Sequence, residues 1–382
     1  MSAIVDDLDD VEGLITVDHD GLLHAAALAG AQVRAVAEAQ SESVLEPLNG
    51  LRPRAVAVVT GSSVIAARAA SLVVAVLAAR VDVPLVVGPA LPGWIGPLDV
   101  VVLAGGDAGD PNLVDGAARA VRRRTELVLL APVEGPLADA VRGDRVIDLS
   151  PRLRVDERFR FAGYVAALTA VLTGLTSVRL TPPPPDLALL ADQLDAEAAA
   201  DNPQRESFHN QAKLLALRVS GRSTVWTGDT PGSGMVAEHA ASSFFAVAGV
   251  PVASADEPTA LTMLHTVHAS APEAPDSIFY DPEFDDPPAG EPLRMFLVST
   301  AAREWFAQQR IAGAGDADLV TERVADSSVE ATGRRASYDE VLVDAPGDLA
   351  AYLLIALRAE LAAVYLRLLN DTVGTPPRGV HG

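Results

Sequence analysis

The sequence predicts an α/β protein of two domains, each a parallel sheet flanked by helices. Three observations carry this. Short apolar runs without polar alternation, such as "RAVAVV" and "VVVLA", read as strands buried on both faces. These runs alternate with segments whose apolar residues recur at helical period. Four consecutive prolines, Pro182 to Pro185, divide the 382 residues into halves of similar length, each large enough for a domain.

The elements follow in order. "LLHAAALAGAQVRAVAEA" (22–39) has the helical period. "RAVAVV" (54–59) is a strand that runs into the small residues Gly61, Ser62 and Ser63. "VIAARAASLVVAVLAAR" (64–80) is a helix and "VPLVVG" (83–88) a second strand. "LDVVVLAGGD" (98–107) is a third strand. "PNLVDGAARAVRRR" (111–124) is a helix with Pro111 in its first turn, where a missing N–H costs nothing. "TELVLLAP" (125–132) and "DRVIDLS" (144–150) complete five strands, and "RFAGYVAALTAVLTGL" (160–175) is a closing helix. The proline run cannot sit inside a helix or a central strand, so residues 181–186 are a stiff linker. The domains are expected at 1–180 and 187–382.

In the second half, "DLALLADQLDAEAAA" (186–200) and Gln211 to Val219 are helices. "STVWTGD" (223–229) is a strand ending in Gly228–Asp229, followed by the helix "GMVAEHAASSFFAVAG" (234–249). "VPVASADEP" (250–258) gives a strand and loop. "PLRMFLVST" (292–300) is a strand, "AREWFAQQRIAGA" (302–314) a helix and "YDEVLVDA" (338–345) a strand. The Pro- and Asp-rich segment 272–290 is an exposed loop by composition. The last apolar segment, Ala350 to Leu369, carries Arg358, Glu360 and Arg367 at helical spacing, so it is expected to be an amphipathic helix with a charged face and not a membrane span.

Composition removes whole classes of function. The net charge of −22 repels phosphate backbones and anionic lipid, which argues against nucleic acid and membrane partners. The absence of cysteine excludes disulfides, thiolate nucleophiles and Cys-ligated metals. The acidic start "MSAIVDDLDDVEG" lacks the basic flank and apolar run of a signal peptide, so a soluble cytoplasmic protein is expected. No HExxH spacing, G-x-S-x-G elbow or three-glycine dinucleotide fingerprint is present, and no metal or cofactor is expected.

Two loops at strand ends remain as candidates. Gly61, Ser62 and Ser63 lead from strand to helix, where free amides favour an anion; the alternative is a plain helix cap. Asp107, Gly109 and Asp110 follow the third strand, where they cap the next helix, bind sugar hydroxyls or ligate a metal. Glu238, His239, Glu257 and His265 are the acid–base candidates of the second half. Lys213 is the only lysine of the chain. It offers a point charge that arginine's planar fork cannot imitate, or it is a helix lysine that snorkels to solvent.

These residues resemble a family. "HNQAKLLALRVSG" (209–221), with Lys213 at the matching place, is similar to the segment opening the second domain of the two-domain sugar isomerase (SIS) proteins of the bifunctional phosphoglucose/phosphomannose isomerase type, nearest a divergent actinobacterial branch. "AELAAVYLRLLNDTVGTP" (359–376) resembles the family's closing helix, and "RFAGYVAALTAVL" the helix closing its first domain. The resemblance implies two SIS domains with mainly five-stranded parallel sheets and a homodimer. It implies a sugar phosphate bound between domains and a cofactor-free aldose–ketose isomerisation of glucose or mannose 6-phosphate with fructose 6-phosphate. The family's serine-rich phosphate loop corresponds here to Asp107–Ala108–Gly109–Asp110, and its catalytic glutamate to Ala246. The same resemblance therefore implies either an isomerase that uses other residues or a non-catalytic SIS protein. The latter would bind a sugar phosphate or nucleotide sugar as regulator or scaffold.

Overall fold

A computed structural model describes residues 7–270, 293–323 and 343–373. They form two compact units. One comprises Gly21–Ala199 with Asp344–Leu357; the other comprises Met1–Asp20, Ala200–Val343 and Arg358–Gly382.

The first unit is built on β1 (Val56–Val59), β2 (Leu85–Gly88), β3 (Val100–Ala104), β4 (Glu126–Leu130) and β5 (Ile147–Asp148). All pair in parallel in the order β2-β1-β3-β4-β5. Parallel strands need crossovers; helices lie between β1 and β2, β3 and β4, and β4 and β5, and residues 89–99 carry the chain from β2 to β3 without one. The two faces sort by residue parity. Ala57, Val59, Val101, Leu103, Leu127 and Leu129 pack against Leu113, Ala117 and Ala120 of α5 (Pro111–Arg123) and Leu137 of α6 (Gly135–Ala140). Val56, Val58 and Val102 face Ala70 and Val73 of α4 (Val64–Leu77) and Leu168, Val171 and Leu172 of α7 (Phe161–Gly174). Burial on both faces is what the unbroken apolar runs require. The helices α2 (Leu22–Ala27), α3 (Ala29–Ser41) and α8 (Leu187–Ala200) complete the set, and α3 packs along α7.

The second unit has β6 (Thr224–Gly228), β7 (Ala253–Ser254), β8 (Arg294–Val298) and β9 (Ala317–Val320), parallel in the order β7-β6-β8-β9. Val225, Met295 and Leu297 on one face meet Ala260 and Leu264 of α11 (Glu257–Ser270) and Ala307 of α12 (Glu304–Ile311). On the other face Trp226 stacks on Phe296 at 4.8 Å and meets Phe244 of α10 (Pro231–Ala248) at 5.8 Å. The helices α1 (Val11–Val17) and α9 (Gln211–Val219) belong to this unit. The expected strand 338–345 and the expected loop 272–290 fall largely or wholly outside the described residues, among which the second sheet has four strands.

The last helix is α13 (Asp348–Val373); its stretch Asp348–Asn370 is long and apolar enough to cross a membrane by length and composition, but 83% of its apolar 18-residue window is buried in the protein. Two of its charges lie inside the protein. Arg358 is 4% exposed and donates to the Thr321 and Glu322 carbonyls at 2.6 and 3.1 Å. Glu360 is 2% exposed and meets His239 Nε2 at 2.8 Å. Helical spacing reports which face a charge lies on; here that face is also buried, and each charge has found a partner.

Candidate functional site

In the first unit the Gly61–Ser62–Ser63 turn leaves the C-terminal end of β1, with Gly61 at φ +54°, a conformation open to glycine. Ser63 is the N-cap of α4 and its Oγ accepts from the Ala66 amide at 3.1 Å. The Ser62 amide is engaged too: it donates to Asp110 Oδ2 at 2.8 Å, and Ser62 Oγ donates to the same oxygen at 2.6 Å. Asp110 Oδ1 accepts from the Asn112 and Leu113 amides, capping α5. A Cβ built on Gly61 would lie 2.6 Å from Asp110 Oδ1, so the carboxylate sits directly over the turn. Burial works against ionisation of Asp110, yet the donors from Ser62, Leu113 and Asn112 outweigh it and hold the carboxyl below its ordinary value.

A second carboxylate closes the neighbouring space. Glu157 accepts from Ser63 Oγ at 2.6 Å and from the Tyr164 hydroxyl at 3.0 Å, and it would meet a Cβ on Gly106 at 2.3 Å. Asp107 is exposed and its Oδ1 accepts from the Gly109 amide at 2.7 Å. The structure thus gathers Gly61, Ser62, Ser63 and Asp110. The position where the Ser62 amide would meet a ligand anion holds the chain's own carboxylate.

The second unit has an open cavity of about 490 Å³ beyond the C-terminal end of β6, lined among others by Thr230, Gly234, Glu238, Asp256, Glu257 and Arg310. Its geometry begins with Gly228. A Cβ there would sit 2.2 Å from the Gly234 amide nitrogen, so only glycine lets the strand end touch the first turn of α10. Thr230 caps that helix in a reciprocal pair with Ser233, whose Oγ accepts from the Thr230 amide at 2.8 Å. Asp229 is held from three sides by Ser233 Oγ at 2.9 Å, Ser299 Oγ at 2.5 Å and Arg303 Nε at 3.3 Å. Asp256 caps the start of α11 through Thr259.

Glu257 lies in the wall of this cavity, 6% exposed, with Arg310 Nη2 at 2.6 Å from its Oε2. Burial raises the affinity of the carboxyl for its proton; Arg310 opposes this, the Asp229 charge adds to it, and the net shift is upward. A carboxyl in that state, facing a cavity of ligand size, suits proton transfer to and from carbon. Among the described residues no three His, Asp or Glu side chains gather as a metal site.

The structure separates the other candidates. Glu238 shares the cavity with Glu257. His239, the next residue on α10, points away into the core and meets Glu360. His265 is exposed on α11, eight residues or about 12 Å along the helix from Glu257. Ala246 is exposed on α10. Lys213 is fully buried and does not snorkel: Nζ donates to the Pro203 and Arg205 carbonyls at 2.9 and 2.7 Å and lies 3.6 Å from Asp9 Oδ1. Sequence reading missed Arg310, Arg303 and Glu157. The spacing from Thr230 to Ser233 was a visible capping signal beside Asp229, whereas nothing local marks Arg310 as the partner of Glu257.

No protein-family model matches the chain, and no curated protein does. Solved structures do. The C-terminal domain of glucosamine-fructose-6-phosphate aminotransferase from Francisella tularensis aligns at TM-score 0.55 and 12% identity over 92% of this chain and 96% of that one. Tagatose-6-phosphate ketose/aldose isomerase from Escherichia coli aligns at TM-score 0.53 and 11% identity over 93% and 94%. At such identities the likeness is one of fold: the protein shares with these structures an architecture of parallel α/β sheets flanked by helices.

Proposed function

We propose that the protein binds a sugar phosphate in the cavity of the second unit and catalyses an aldose–ketose interconversion, with Glu257 as the acid–base group. The single observation that carries this reading is Glu257 itself, a buried carboxyl with raised proton affinity in the wall of a cavity of about 490 Å³. That volume lies within the few hundred Å³ of small-molecule sites. The isomerase named among the structural neighbours supports the same chemistry. Glu257 as carboxylate would take the proton from C2 of an open-chain aldose phosphate and return it to C1 by way of an enediol, while O1 gains a proton and the O2 hydroxyl loses one, so that the carbonyl moves from C1 to C2. This transfer needs no cofactor. Glucose or mannose 6-phosphate with fructose 6-phosphate are the substrates we assign, in a cytoplasmic homodimer of the bifunctional isomerase type.

A second reading, a non-catalytic sugar phosphate or nucleotide sugar binder, is favoured by one observation: Asp110 occupies the Ser62 amide in the first unit. A coupled assay of fructose 6-phosphate conversion separates the two. Turnover that is lost in Glu257→Gln supports the enzyme. Binding of fructose 6-phosphate without turnover supports the second reading, and absence of binding removes both. Sedimentation at micromolar concentration tests the dimer, and a monomer mass rejects it.

A further inference from the structure

Resting on the reading of this cavity given above, we propose that Glu257 and the anionic group of the ligand compete for one guanidinium, that of Arg310, so that seating the ligand leaves Glu257 to take up a proton. The charged groups around Glu257 show why. Asp229 stands at the end of β6, Glu238 on α10, Asp256 beside it at the start of α11, and Arg310 on α12. Among the described residues, Arg310 is the single basic residue lining the cavity. The other nearby cation, Arg303, is 4% exposed and turned to Asp229.

An anion entering this space therefore has one cation to meet, and that cation already holds Glu257 at 2.6 Å. The two partners differ in mobility. Glu257 is buried, whereas the Arg310 side chain is 42% exposed and can swing on its long stem. When the guanidinium turns to a phosphate, Glu257 is left buried among Asp229, Glu238 and Asp256 with no counter-ion. A carboxylate in that setting binds a proton from solvent instead of bearing the desolvation cost. The protonated acid can then donate to the sugar ring oxygen as the ring opens, and the carboxylate this leaves is the base that takes the C2 proton. Linkage makes the effect reciprocal: if binding takes up a proton, affinity must fall as pH rises.

Sulfate, a dianion that does not titrate in the relevant range, tests this by calorimetry on the full chain, with fructose 6-phosphate as the second probe. In the wild type, sulfate affinity should fall as pH rises past the ordinary carboxyl value. Glu257→Gln frees Arg310 without adding charge, so affinity should rise about fivefold or more and lose its pH dependence. Arg310→Met should abolish sulfate binding while the fold, followed by circular dichroism, persists. Equal and pH-independent affinities in wild type and Glu257→Gln overturn the competition, as does unchanged sulfate binding in Arg310→Met. If fructose 6-phosphate binds and neither variant alters it, the competition fails while the binding function stands. If neither probe binds any form, both fail together.

Discussion

Asp110→Ala tests the claim that the first unit's turn is held by its own carboxylate. The change removes two kinds of contact. The cap on α5, through the Asn112 and Leu113 amides, is worth about 1 kcal/mol. The charged bonds from Ser62 nitrogen and Ser62 Oγ add about 1.5 kcal/mol, the low end for bonds to an ionised group, because Ser62 is exposed and water replaces part of them. The expected loss is about 2.5 kcal/mol, or a fall of about 5–10 °C in melting temperature for a unit of this size. Asp110→Asn keeps an oxygen for the cap but turns an NH2 toward the Ser62 amide, so it should lose only the Ser62 share, about 1.5 kcal/mol. Thermal and urea denaturation followed by circular dichroism measure both. The folded carboxyl titrates below its ordinary value, so its contribution is complete above that value and is lost as pH falls through the folded one. The gap between wild type and Asp110→Ala should therefore narrow in acid. A loss under about 1 kcal/mol, or equal losses in the two variants, refutes the clasp.

Other expectations follow from the same contacts. Lys213→Met leaves the Pro203 and Arg205 carbonyls without their donor and should cost about 2–3 kcal/mol in urea denaturation; no loss would mean water replaces the ammonium. Burial lowers the Lys213 proton affinity against the pull of Asp9, so the unfolded chain holds that proton more tightly, and this group's contribution raises stability as pH climbs toward its ordinary value. Gly228→Ala drives a Cβ against the Gly234 nitrogen and the Ser233 carbonyl carbon, both backbone, and should cost more than about 3 kcal/mol with loss of ligand binding; a stable variant would contradict the close strand–helix contact. His239→Leu strands Glu360 in the core and should cost about 3–5 kcal/mol, most of it recovered in the double change with Glu360→Leu; an additive double variant would deny the pairing.

The sheets were legible because their central strands are short apolar runs covered on both faces, a pattern that needs no knowledge of the tertiary arrangement. The capped strand–helix turns at Ser63 and Asp110 were legible for the same reason, since caps are local. What each turn does was not. Ser62 and Asp110 lie 48 residues apart, and only folding puts a carboxylate on that amide. Glu257 and Arg310 sit on different helices, so their pairing has no sequence signature. The last helix shows the same limit: periodicity places Arg358 and Glu360 on a face but does not reveal that the face is covered. Lys213 illustrates the limit from the other side. Its isolation in the sequence marked it, yet its role is to gather loop carbonyls and Asp9.

A crystal structure of the protein soaked with fructose 6-phosphate tests the central claim most directly. The account predicts density for the sugar in the cavity of the second unit, beside Glu257 and Arg310, with Asp110 still on the Ser62 amide. Density for the phosphate on the Ser62 amide, with Asp110 displaced and the second cavity empty, would contradict it.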